Sequence, residues 1–186
     1  RNIRAAIRSL HAVRMGGGQL SYWPGSNHVS DWSSVYAGHF LLMGEQKGYL
    51  IPTDLKNSLL EEQSRQALHF DLSKNPANLS ALHTQAYRLY MLALAGKPVF
   101  SAMNRLREIT GLTKEAAWRL AAAYTLAGRP EVAEKLAEQA ANLKNHSLDE
   151  TDETFGSSLR DQSLILETLV LMNRKQAAFD LISGMA

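Results

Sequence analysis

Among the side chains of this sequence that could do chemistry, His39 is the best placed by pattern. It follows Trp32 by seven residues and Val35 by four, on the apolar stripe of a helical segment, where an imidazole could serve as a pocket ligand or a base. A histidine packed in a core fits the same pattern and is the simpler reading. The six histidines show no HExxH or other ligand spacing, so neither a metal nor a cofactor is expected. Ser33 and Ser34 follow Trp32 without the context of a nucleophile elbow and read as first-turn helix residues. The run Asp149-Glu150-Thr151-Asp152-Glu153 could attract calcium, but it lacks the glycine and terminal glutamate of an EF-hand loop and reads as a solvated loop. Cysteine is absent, which removes disulfides, thiolate zinc sites, cysteine nucleophiles and thioesters together.

These residues must be positioned by helices. At 186 residues the chain can bury a sizeable core, and 45% hydrophobic content is ordinary for a globular protein. Twenty basic and 18 acidic residues give a net charge of +2, with no basic stripe for nucleic acid and no acidic tail. No run approaches the roughly 18 apolar residues of a membrane span. The chain opens at Arg1 inside a helical pattern, which points to a piece of a longer protein.

Punctuation divides the sequence into helical segments near 2–14, 30–47, 53–71, 79–96, 98–110, 113–128, 130–144, 156–173 and 174–184, with nothing that reads as a strand. Gly48 with Pro52, Gly96 with Pro98, and Gly128 with Pro130 are glycine C-caps followed by proline. The second, fourth and eighth segments are apolar nearly all round and are expected to be buried. The first, third and seventh carry one apolar stripe and one charged face, with Glu61, Glu62 and Arg65 on the charged side of the third. Alternation of surface and buried helices through short turns describes helical hairpins set side by side.

An echo supports the hairpins. Tyr87-Arg88-Leu89 running to Gly96-Lys97-Pro98 is repeated about one hairpin later by Trp118-Arg119-Leu120 running to Gly128-Arg129-Pro130. That period suits a tetratricopeptide-like solenoid or an α/α toroid. Leu120, Ala121, Tyr124, Gly128, Ala133 and Ala140 fall at tetratricopeptide spacing, whereas the preceding hairpin offers Leu92 and Ser101 where tyrosine and alanine belong. A tetratricopeptide-like scaffold for peptide or protein binding is therefore the alternative, with Arg88, Asn104, Arg105, Arg119 and Asn142 as its nearest ligand-facing candidates.

The stretch GGGQLSYWPG at 16–25 sets two large aromatics between strong helix breakers. Glycines permit a tight path, and the rings are expected to plug the gap between helical layers. Together with DWSSVYAGHFLLMGEQKGYLIP, QAYRLYMLALAGKPVFSAMNRLRE and AAWRLAAAYTLAGRPEVAEKL, in the same order over roughly residues 16–140, it resembles the thioester domain of bacterial alpha-2-macroglobulin family proteins, particularly the Bacteroidetes type. The resemblance implies an all-α fold, an α/α toroid-like array of helical hairpins of the terpenoid cyclase/protein prenyltransferase type, and an incomplete ring. It implies that 1–186 is a single helical domain of a larger multidomain protein that traps proteases, extracytoplasmic in the periplasm or at the cell surface, its parent lipid-anchored.

Members with a thioester form it within a Cys-Gly-Glu-Gln segment. Met43-Gly44-Glu45-Gln46 is the nearest string here, but a thioether cannot acylate, and the string follows the aromatic turn rather than preceding it. Enzymes on this fold need a DxDD motif or an Asp/Cys/His zinc site, and neither occurs, which argues against catalysis. Tyr22, Trp23, Trp32, Tyr36 and His39 are the candidate interaction or inner-cavity residues. The expected partners are other domains of the parent chain and a target protease, with no nucleic acid and no direct membrane contact. An open seam of the excised piece would favour a homodimer.

Overall fold

The computed structural model describes residues 2–71, 78–143 and 157–185. Among these the chain is all-α, with nine helices and no strand beyond two isolated bridges. In order they are α1 (Asn2–Ala12), α2 (Asp31–Gln46), α3 (Thr53–His69), α4 (Leu79–Leu94), α5 (Phe100–Arg107), α6 (Lys114–Leu126), α7 (Pro130–Ala141), α8 (Ser158–Leu171) and α9 (Lys175–Ser183). The helical hairpins, the fold class read from the sequence, are present. The acidic run at 149–153 lies outside the described residues.

The chain forms two compact units, Arg1–His69 and Phe70–Ala186. In the first, Ile7 of α1, Leu41 of α2 and Leu55 of α3 form a core against which Ile3, Leu10, Phe40 and Ile51 pack. Helix α2 starts at Ser30, whose side chain accepts from the Ser33 amide at 3.3 Å, while Ser34 Oγ donates to the Ser30 carbonyl at 2.8 Å. The two serines thus serve the helix start.

Residues Gly16–Gly18 form a 3₁₀ turn against α3. Gly17 and Gly18 have φ of +78° and +89°, and a β-carbon on Gly18 would lie 2.0 Å from the Ser58 carbonyl oxygen. The glycine run is therefore required twice, by a left-handed backbone and by the approach of that backbone to a neighbouring helix.

In the second unit α6 is the central helix, packed by α4, α5, α7 and α8. Ala116, Ala117, Ala121, Ala122 and Ala123 are all buried on it. Such small side chains let neighbours approach on several sides. The turns after α4 and α6 share one geometry: the Lys97 amide donates to the Leu92 carbonyl and the Arg129 amide to the Tyr124 carbonyl, both at 2.9 Å, across glycines of φ +71°. The turn after α8 repeats it with Asn173 at φ +57° and the Arg174 amide on the Leu169 carbonyl at 2.9 Å.

Burial corrects the sequence reading in three places. Helix α4 is buried as expected, but α2 exposes Tyr36 and Met43, and α8 exposes Leu159 and Val170. Apolar periodicity records what a helix could bury, not what packs on it; among described elements α8 packs chiefly on α6 and α9. Glu62, placed by sequence on a solvated face, is buried, accepting from Gln66 Nε2 at 2.8 Å and Gln19 Nε2 at 3.3 Å and paired with Arg65.

Candidate functional site

The candidate aromatics lie in the first unit, in the loop before α2 and on α2 itself. The loop is fixed by its own backbone. The Ser21 amide donates to the Val13 carbonyl at 2.9 Å, the Tyr22 amide to the His28 carbonyl at 3.0 Å, and Ser21 Oγ to the Trp23 carbonyl at 2.7 Å. Between them the Ser26 amide closes a turn on the Trp23 carbonyl at 3.0 Å, with Pro24 and then Gly25, at φ +80°, in its centre. A proline followed by a positive-φ glycine is the sequence of a type II turn.

This turn presents the rings rather than burying them. Tyr22 and Trp23 meet edge to face at 5.1 Å, yet Trp23 is 66% exposed. The expectation that they plug a gap between layers is thereby corrected: polar backbone bonds, not ring packing, hold this loop, and the rings are left outward. Trp32, Tyr36, His39 and Met43 recur at helical spacing on α2 and share one face. The buried residues Ser34, Ala37, Gly38 and Leu41 occupy the opposite side, and buried Val35 and Leu42 border the aromatic face. Tyr36 is 61% exposed, while Trp32 and His39 are half-buried. The structure thus brings Tyr22 to Trp23, and Trp32, Tyr36 and His39 to one helix face.

The string 43–46 ends α2. Gly44 is buried, and Glu45 takes Lys56 Nζ at 2.6 and 2.8 Å, an ordinary ion pair at a helix end. No group of three or more potential metal ligands occurs among the described residues, and none of their helices is long and apolar enough to cross a membrane.

Sequence reasoning missed the polar layer inside the second unit. Arg119 of α6, only 3% exposed, donates to Glu167 of α8 at 2.6 Å and stacks over Tyr90 and Tyr87 of α4 at 4.2 and 5.4 Å. Tyr90 donates to the same carboxylate at 2.9 Å. Burial, with the Glu167 charge beside it, pushes the Tyr90 phenol far above the ordinary tyrosine range. Between α4 and the start of α6, His83 Nε2 lies 2.6 Å from Oγ1 of the N-cap Thr113 and 3.8 Å from Glu115. Arg88 is likewise buried and donates to Gln85 at 2.7 Å. Each side chain read as an exposed peptide-binding candidate at 88 and 119 is instead internal. Their only sequence signal was the Tyr-Arg and Trp-Arg echo.

No family model and no curated protein matches the chain. Solved structures do. The chain is 23% identical to Escherichia coli alpha-2-macroglobulin activated by porcine elastase, with a TM-score of 0.83 over 97% of this chain and 17% of that one. The native conformation of the same E. coli protein gives 22% identity and 0.81 over 97% of this chain and 12% of that one. Salmonella alpha-2-macroglobulin reacted with methylamine gives 22% and 0.81, over 94% of this chain and 12% of that one. A fragment of the E. coli protein from domain MG7 to the C-terminus is covered over 29% of its length. The fold is therefore that of a helical segment of bacterial alpha-2-macroglobulins, and the chain spans under a third of each of these chains.

Proposed function

We propose that the chain is a non-catalytic helical module of an alpha-2-macroglobulin-like protein, one domain within a larger extracytoplasmic polypeptide whose role is protease trapping. The observation that carries this reading is the fold likeness over 97% of the chain to the elastase-activated E. coli protein. The agreement in order of the four sequence phrases over roughly 16–140 supports it further. The module contributes no thioester of its own, since the chain has no cysteine. Its function is then to pack, with Tyr22, Trp23, Trp32, Tyr36 and His39 forming its contact with other domains of the parent.

The tetratricopeptide-like alternative has one observation in its favour: Leu120, Ala121, Tyr124, Ala133 and Ala140 are all buried in the α6–α7 hairpin. Against it, Arg88 and Arg119 are internal, and Asn104 accepts from Tyr124 at 2.7 Å, so the polar residues a ligand would need are engaged.

The test is native electrophoresis of the longer polypeptide mixed with elastase or trypsin. The reading expects a discrete mobility change with protease carried in the shifted band. Progressive degradation with no shifted species would reject it. Methylamine treatment then separates two mechanisms: release of a thiol marks a covalent trap with its reactive segment outside these residues, and no release marks a steric one.

A further inference from the structure

The cations of the first unit divide sharply. Arg14 pairs with Asp54 at 2.6 Å, Lys56 with Glu45 at 2.6 Å, and Arg65 with Glu62. Arg4, Arg8 and Lys47 form no ion pair among the described residues, and all three line one open groove of about 540 Å³ whose lining contains no acid. The same groove is lined by Ile7, Tyr49 and Leu50, and Leu50 is 94% exposed. Leu50 is not on a loose end. The Tyr49 amide donates to the Gly44 carbonyl at 3.0 Å and the Gly48 amide to the Glu45 carbonyl at 2.9 Å, across Gly48 at φ +80°, which fixes the chain leaving α2.

Arg4 and Arg8 stand four residues apart on α1, an arrangement that disfavours the helix when both carry like charge. Four helical residues rise about 6 Å. Alternate side chains of an extended peptide stand about 6.6 Å apart on one face. Two carboxylates on alternate residues can therefore meet the two guanidiniums together, Lys47 adds a third charge, and an apolar side chain can cover Leu50 and Tyr49. A single small anion would leave both the third charge and the leucine unanswered.

We propose that this groove binds an extended acidic peptide segment of a partner protein, its carboxylates on Arg4, Arg8 and Lys47 and one apolar side chain on Leu50. The test is fluorescence anisotropy of the 186-residue chain with a short labelled peptide carrying glutamate at alternate positions and one leucine. Saturable binding is expected, weakening as salt is raised from about 0.05 to 0.3 M because the contacts are exposed. The double variant Arg4→Glu/Arg8→Glu should weaken Kd at least roughly tenfold, Leu50→Ser roughly fivefold through lost apolar contact, and Lys97→Glu, a single charge reversal elsewhere, not at all. All four side chains are exposed, so circular dichroism should confirm an unchanged fold. Absence of saturable binding, or equal affinity in the double variant, would overturn the proposal. So would tighter binding to vesicles of anionic phospholipid than to the peptide, or displacement of the peptide by inorganic phosphate at comparable concentration.

Discussion

Gly18 carries two demands at once, a left-handed φ and a backbone seated on the Ser58 carbonyl, whereas Gly16 has no atom within 4 Å of where a β-carbon would be. Gly18→Ala should therefore cost roughly 2–4 kcal/mol, from strain plus overpacking, and Gly16→Ala less than about 0.5 kcal/mol; urea denaturation of both variants checks this. The tight path of the glycines was legible in the sequence, but its cause, a contact with a helix some forty residues on, was not, because nothing local encodes it. Arg119 and Glu167 make a second asymmetric case. Arg119 is 3% exposed, while the Glu167 side chain retains 37%. Removing the carboxylate strands a buried cation, whereas removing the cation leaves a carboxylate that water can reach. Glu167→Ala is expected to lose about 2–4 kcal/mol and Arg119→Met only about 1–2. Equal losses in chemical denaturation would contradict that picture of the pair.

Helix ends show the same division between what sequence does and does not reveal. Gly96 and Gly128, each followed by proline two residues later, were readable as C-caps, and both adopt φ +71°. Asn173 performs the same turn after α8, where the sequence placed a boundary at 173/174 but without the glycine and proline that identify the other two caps. Exchanging the residues tests the equivalence: Gly128→Ala should cost about 1 kcal/mol, and Asn173→Gly should be neutral or stabilising by a few tenths. Thermal melts of the two variants moving in the same downward direction would show that the α8–α9 turn is held by something other than its left-handed residue. Burial of α2 and α8 was misread for a related reason. Both are apolar around most of their circumference, yet the faces bearing Tyr36 and Val170 lie outward. Sequence could place Trp32, Tyr36 and His39 on one helix face; only the packing of Ala37 and Leu41 on the other side determined which face was free.

For the molecule as a whole, the buried phenols set a limit at high pH. Burial raises the pKa of both Tyr90 and Tyr124 above the ordinary value of 10.0, so folding favours their protonated forms. Their contribution is complete below that ordinary value and is lost as pH rises through it toward the folded-state values. Stability should fall progressively above about pH 10, less steeply in Tyr90→Phe, as measured by denaturation midpoints across pH. The apolar surface left on α8 and α9, with Leu159, Val170, Phe179 and Ile182 all at least half exposed, should make the isolated chain self-associate at high concentration. Sedimentation equilibrium should show this, and Val170→Ser/Phe179→Ser should abolish it. In an intact alpha-2-macroglobulin-like polypeptide that surface and the aromatic face of α2 would instead meet neighbouring domains. The central claim is tested most directly by titrating elastase with the longer polypeptide and following two substrates, a large protein and a small chromogenic peptide. A protease trap predicts loss of protein hydrolysis with small-peptide hydrolysis retained; parallel survival of both activities at excess polypeptide would contradict it.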